Sequence, residues 1–163
     1  DSCNKPLGLE DGRIKDAQFT ALTAYDENIK VYGPQRARLN LSKWPQGYRG
    51  NPKSQENSWV SVDFGRGVVI TGIATQGYGE RGIQEWVSMF MLMYSTQEDD
   101  NEKTLAPADR SSEWLFQGNY DASTVVRQSI LRPVIASRVK LIPIEWHTNV
   151  GLRMELFGCD AGT

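Results

Sequence analysis

His147 is the only histidine in a chain of 163 residues, so a Ser-His-Asp or Cys-His nucleophile site would have to be built around it. No Gly-x-Ser-x-Gly elbow or other nucleophile signature accompanies it. It stands in Glu145-Trp146-His147-Thr148, between two strand-like runs, and reads as a turn or structural histidine. Gly77-Tyr78-Gly79-Glu80-Arg81-Gly82 matches G-x-G-x-x-G after a predicted strand, with Glu98, Asp99 and Asp100 near the offset of a ribose-binding acid. Only Ile83 to Trp86 then separate Gly82 from the next strand-like run, whereas a parallel crossover needs about a dozen residues or more. The motif therefore reads as a loop joining two strands. Glu98-Asp99-Asp100-Asn101-Glu102 offers oxygen ligands for calcium but lacks the alternate-position ligands and the glycine of an EF-hand loop. A solvated hairpin or loop tip is expected there. No metal site and no cofactor is read from these patterns, and structural calcium is not addressed by them. Carboxylate pairs are plentiful, but the sequence sets no two of them at a glycosidase separation. The expectation is a protein that is not an enzyme.

The two cysteines, Cys3 and Cys159, stand near the two ends. One reading is a bridge fastening the termini of a single domain, which lie close together in many domains. In the chain-entropy model a loop of that length contributes up to about 5 kcal/mol. The other reading is two unrelated free thiols in a cytosolic protein. Two cysteines and one histidine do not complete a tetrahedral zinc site, and no Cys-x-x-Cys redox motif is present. A bridge implies an oxidising, extracellular compartment. Asn40-Leu41-Ser42 fits the N-glycosylation sequon, a pattern short enough to arise often by chance. Asp1-Ser2-Cys3 has neither a starting Met nor the apolar stretch of a signal peptide, and reads as the start of a mature protein or excised domain.

These residues must be positioned by a chain that is 39% hydrophobic and 23% charged, the size of one ordinary domain. Eighteen basic against 20 acidic residues leave a formal charge of −2, without the basic excess of a nucleic-acid binder. The longest apolar cluster, Met89 to Tyr94, has strand length and falls far short of the roughly 18 residues of a membrane span. Fifteen Gly and 7 Pro are spread along the chain, and no long window carries helical apolar spacing. Short β-rich runs recur instead. They are Phe19 to Thr23, Trp59 to Phe64, Val68 to Ala74 after a turn at Gly65-Arg66-Gly67, Val87 to Ser95, Trp114 to Phe116, Arg138 to Ile142 and Gly151 to Phe157. Alternation places Val60, Val62 and Phe64 on one face. In the last run it turns Leu152, Met154 and Leu156 inward and Arg153 and Glu155 outward. Trp59, Trp86, Trp114 and Trp146 are assigned to the core or to sheet support. Many short strands between turns predict an all-β, antiparallel sandwich or barrel in one domain.

Several runs, in this order and spacing, are familiar together. They are Cys3-Asn4-Lys5-Pro6-Leu7-Gly8-Leu9-Glu10, Ile14 to Ala21, Ala37-Arg38-Leu39, Trp59 to Phe64, Gly72 to Gly77, Phe116-Gln117-Gly118-Asn119, Pro133 to Arg138 and Leu152 to Cys159. The sequence resembles the discoidin, or coagulation factor V/VIII type C, domains over residues 3–159, leaving 160–163 as a C-terminal tail. Around the third loop and in Leu141 to His147 it is most similar to adhesive members such as retinoschisin and the contactin-associated proteins. Retinoschisin's extra loop cysteines are absent, so disulfide-linked rings are not expected. The resemblance implies a jelly-roll-like β-sandwich of about eight strands, with the terminal cysteines matching the family's bridge. It also implies an extracellular or cell-surface module without catalysis, part of a larger multidomain protein, that meets ligands with loop spikes at one end. The first of those loops runs Tyr25 to Tyr32, the second surrounds Trp44 to Arg49, and the third is Tyr78 to Ile83.

The leading expectation is binding of an extracellular protein or cell-surface glycan by this loop end. Tyr25, Tyr32, Trp44, Tyr48 and Tyr78 supply aromatic area, and Arg49 and Arg81 supply charged anchors for carboxylate or sulfate. The alternative is peripheral binding to phosphatidylserine, an anionic phospholipid, by insertion of Ile29, Val31, Tyr32 and Ile83, against the repulsion of Asp26 and Glu27.

Overall fold

Val60, Val62 and Phe64 alternate with Ser61 and Asp63, and all three are buried in the computed structural model, which describes residues 3–162. They open the second longest of nine strands: β1 (Lys5–Pro6), β2 (Phe19–Thr20), β3 (Tyr48–Arg49), β4 (Val60–Gln76), β5 (Trp86–Ser95), β6 (Lys103–Thr104), β7 (Phe116–Gln117), β8 (Val126–His147) and β9 (Gly151–Asp160). All pairings between these strands are antiparallel.

The register divides β4 and β8 into two parts each. Val60 to Asp63 pair with Leu141 to Arg138, and the same stretch of β8 pairs on its other side with β5. Val68 to Thr75 pair with Ala136 to Val126 on one side and with β9 on the other. Between the two parts the register slips from Asp63 to Val68, where Gly65 takes φ +73°. Both long strands thus turn a corner and pass from one layer of the sandwich to the other. The turn expected at Gly65-Arg66-Gly67 is this corner, and the two strands expected around it are one continuous β4.

Between the layers lie Leu9, Ile70, Ile73, Phe90, Leu92 and Phe116, all fully buried, with the Phe90 and Phe116 rings stacked at 5.3 Å. Cys3 and Cys159 form the expected bridge, with Cα atoms 4.9 Å apart. His147 ends β8 rather than occupying a turn, and its ring stacks on Trp86 at 4.0 Å. Trp114 is exposed and supports no core, a correction to its assignment. The acidic run lies between β5 and β6, where Asp99 pairs with Lys103 and Glu102 with Lys140. No helix among the described residues is long and apolar enough to cross a membrane.

Arg153 and Glu155 overturn a second expectation. They do point away from the inter-layer core, but they are only 5% and 1% exposed. The outer face of β9 is covered by other chain segments, so alternation gave the face and not the exposure. Glu155 accepts the backbone N–H groups of Leu9, Glu10 and Leu156. Burial pushes its pKa up and those three donors pull it back, leaving it above the usual glutamate value.

Candidate functional site

β3 brings Arg49 alongside Gly151 of β9, and a bridge between Tyr78 and Glu85 closes the third loop beside it. Arg49 donates from Nε and Nη2 to the two carboxylate oxygens of Glu85, at 2.8 and 2.7 Å. The Tyr25 ring centroid lies 3.7 Å from its guanidinium carbon, with those of Tyr78 and Tyr32 at 5.2 and 5.4 Å. Burial opposes the charge on Arg49, but the hydrogen bonds and charge of Glu85 outweigh it, and the pKa is raised. The first loop therefore packs against the second and third around a neutralised ion pair.

Further contacts lock the loops. Tyr25 meets Tyr32 edge-on at 5.2 Å, and Tyr32 meets Trp44 at 6.0 Å. Arg36 donates to the carbonyls of Lys43 and Pro45, fixing the backbone on both sides of Trp44. The Gln46 N–H donates to Glu80 Oε1 at 2.5 Å, and the Gly79 N–H to Gln46 Oε1 at 3.3 Å. At the surface, the Arg81 guanidinium lies 4.6 Å from the Trp44 ring centroid. Asp26, Glu27 and Arg81 hold φ values of +57°, +53° and +56° at two of the loop tips. Non-glycine residues in that region carry local strain that surrounding structure must overcome.

All three expected loops are thus brought together, but their side chains divide differently from expectation. Ile29, Trp44 and Arg81 are exposed, Trp44 by 43%. Tyr25, Val31, Tyr32 and Ile83 are half-buried. Tyr48, Arg49 and Tyr78 are buried, so they are not a free ligand-stacking surface. The Tyr48 hydroxyl donates to the Thr23 carbonyl, and burial raises its pKa. The Tyr78 hydroxyl has no hydrogen-bond partner among the described residues; burial, and then the neighbouring Glu80 carboxylate, push its pKa up. Beside the first loop, a cleft of about 330 Å³ is lined by Tyr25, Asp26, Glu27, Asn51, Pro52 and Lys53.

Two parts of this end were missed in the sequence. One is Arg153, whose guanidinium donates to the carbonyls of Gly77, Leu41 and Ala122 at 2.8, 3.0 and 2.9 Å. It ties the third loop, the approach to the second, and a fourth loop between β7 and β8. Ala122 packs where a Cβ on Gly79 would stand, 2.6 Å from it. Tyr120 on this fourth loop is 68% exposed. The turn-forming run Gly118-Asn119-Tyr120-Asp121 was the available signal for the loop. Nothing local in the sequence signals the Arg153 clasp.

The F5/8 type C domain model matches residues 18–156. The chain belongs to the F5/8 type C domain family. Coagulation factor VIII of dog is 36% identical over 162 residues, covering 98% of this chain and 7% of that protein. Rat lactadherin is 32% identical over 163 residues, covering 96% of the chain and 36% of that protein. The chain therefore spans only a minor part of these relatives. Discoidin II of Dictyostelium discoideum, at 18% identity, superposes with a TM-score of 0.73 over 88% of the chain and 56% of that structure. The F5/8 type C fold, an all-β sandwich, agrees with the expectation, whereas the narrower likeness to retinoschisin and the contactin-associated proteins has no counterpart among these relatives.

Proposed function

We propose that this F5/8 type C domain is a noncatalytic extracellular recognition module, carried in a larger protein, whose loop end docks on anionic phospholipid surfaces. The observation that carries the reading is what remains exposed at the loop tips. Trp44 and Ile29 stand out to solvent beside Lys30, Lys43 and Arg81. The tyrosines suited to sugar stacking are instead packed around Arg49 and Glu85. An exposed apolar tip flanked by Lys30, Lys43 and Arg81, with Asp26 and Glu27 opposing them on the first loop, fits a membrane interface, where Trp sits at headgroup level and each nearby Lys or Arg contributes about 1 kcal/mol of attraction to anionic lipid. Arg81 stacked on Trp44 puts positive charge beside the inserting ring. The Cys3–Cys159 bridge supports an extracellular setting, and the only histidine, packed on Trp86, supports the noncatalytic reading.

One observation favours a second reading. The polar cleft beside Tyr25, with Asp26, Glu27, Asn51 and Lys53 on its walls, has the hydrogen-bonding character of a saccharide site. Sedimentation with phosphatidylserine vesicles, in parallel with a glycan array, separates the two. Vesicle binding that falls with added salt is expected. Selective glycan binding with no sedimentation would replace the first reading by the second.

A further inference from the structure

Asn40-Leu41-Ser42 is the only Asn-x-Ser/Thr sequence in the chain. It lies in a tight turn between the short 3-10 segment Pro34–Arg36 and the second loop. The Leu41 N–H donates to the Arg38 carbonyl at 3.1 Å, which closes the turn. Asn40 takes φ +61°, the left-handed region that asparagine tolerates better than most residues. Its own N–H donates to Gln76 Oε1 at 2.8 Å, so the backbone is anchored while the side chain projects outward. Asn40 and Ser42 are both exposed. Among the described residues the amide that would be modified makes a single hydrogen bond, Nδ2 to Glu10 Oε2 at 3.3 Å, which uses one of its two hydrogens.

We propose that Asn40 carries an N-linked glycan. The carboxamide nitrogen forms the glycosidic bond to a lipid-linked oligosaccharide, the lipid pyrophosphate leaves, and one amide proton is lost; no redox partner is required. The inference rests on the extracellular reading above, because only a chain that enters the secretory pathway meets the transferase. The position has a consequence for the loop end. Leu41 is tied through its carbonyl to Arg153, and Trp44 follows four residues after Asn40 in the chain. A glycan here covers the flank formed by Glu10 and the approach to the second loop. The glycan therefore limits which side of the domain another protein can touch.

The test is expression of the full chain behind a signal peptide in a eukaryotic secretory cell, with intact-mass measurement before and after peptide N-glycosidase F. Free-thiol counting on the same sample reports whether Cys3 and Cys159 are bridged, and hence whether the chain reached the oxidising compartment. The expected result is one glycan, removed by the enzyme and mapped to Asn40. Asn40→Gln and Ser42→Ala should abolish it and Ser42→Thr should keep it; the Ser42 variants should melt within about 2 °C of the wild type, as for surface changes, and Asn40→Gln somewhat lower, because glutamine tolerates the left-handed backbone there less well than asparagine. A bridged chain with an unmodified Asn40, or a glycan that survives Asn40→Gln, overturns the proposal. Free cysteines in the expressed chain would count against the extracellular reading itself, and modification of Asn40 in retained material would still support the site.

Discussion

Arg49 and Glu85 form a two-point ion pair in the interior of the loop end, and neither has another charged partner among the described residues. The pair joins β3 to the third loop, so its geometry sets where Tyr25, Tyr32 and Tyr78 can pack. Removing one member strands the other charge. Glu85→Gln or Arg49→Met should lower the unfolding free energy by about 3–5 kcal/mol, measured by urea melts. A loss below about 1 kcal/mol would show that the pair is not desolvated as described.

Tyr78 separates packing from hydrogen bonding. Its ring is fully buried while its hydroxyl lacks a hydrogen-bond partner among the described residues. Tyr78→Ala should cost about 3–5 kcal/mol, as for other large aromatics in cores. Tyr78→Phe should leave stability unchanged or raise it by about 1 kcal/mol, because a buried unpaired polar group is removed. Thermal melts of both variants decide the point, and a Phe variant as damaged as the Ala variant would contradict it.

Arg153 is the clasp of the loop end. Arg153→Met leaves the carbonyls of Gly77, Leu41 and Ala122 without that donor. Stability should fall by about 3 kcal/mol, and amide exchange should speed up in residues 41–44, 77–83 and 118–124 together. Faster exchange confined to one of these segments would show that Arg153 does not couple them.

How far the sequence reached is clearest in β9 and in Tyr78. Alternation correctly placed Leu152, Met154 and Leu156 in the core, because one face of that strand is packed locally on its own sheet's interior. It turned Arg153 and Glu155 to the correct face but did not reveal that they are buried, because their cover comes from Leu9, Leu41, Gly77 and Ala122, segments remote in the chain. Tyr78 among glycines looked like an exposed loop residue. Two glycines remote in the chain instead let backbone close in and bury it: a Cβ on Gly151 would sit 2.8 Å from Tyr78 Cβ, and one on Gly47 3.4 Å from its ring. The corner in β4 was read as a break for the same reason, since its continuity depends on pairing with β8. The three expected loops do come together at one end, with Tyr48–Arg49 of the second forming β3, but which side chains face out depends on an ion pair that no local pattern announces.

Glu155 makes stability depend on pH in a definite direction. Its folded-state pKa is raised above the ordinary value of 4.5, so the folded protein holds that proton more tightly than the unfolded chain. As pH rises from that value through the raised one, stability should therefore fall, and it should level off above it. Subtracting the pH profile of Glu155→Gln from that of the wild type isolates this slope. A difference that stays flat or climbs with pH contradicts the burial argument.

The central claim is that the loop end, led by Trp44, docks on anionic lipid. Its most direct measurement is co-sedimentation of wild type and Trp44→Ala with phosphatidylserine-containing and pure phosphatidylcholine vesicles, with melting temperatures recorded for both proteins. The wild type should bind only the anionic vesicles. Trp44→Ala should bind them about tenfold more weakly, equivalent to about 1.4 kcal/mol, while melting within a few degrees of wild type, since Trp44 is exposed. Equal binding by the two folded proteins, or equal affinity for both lipids, would contradict the account.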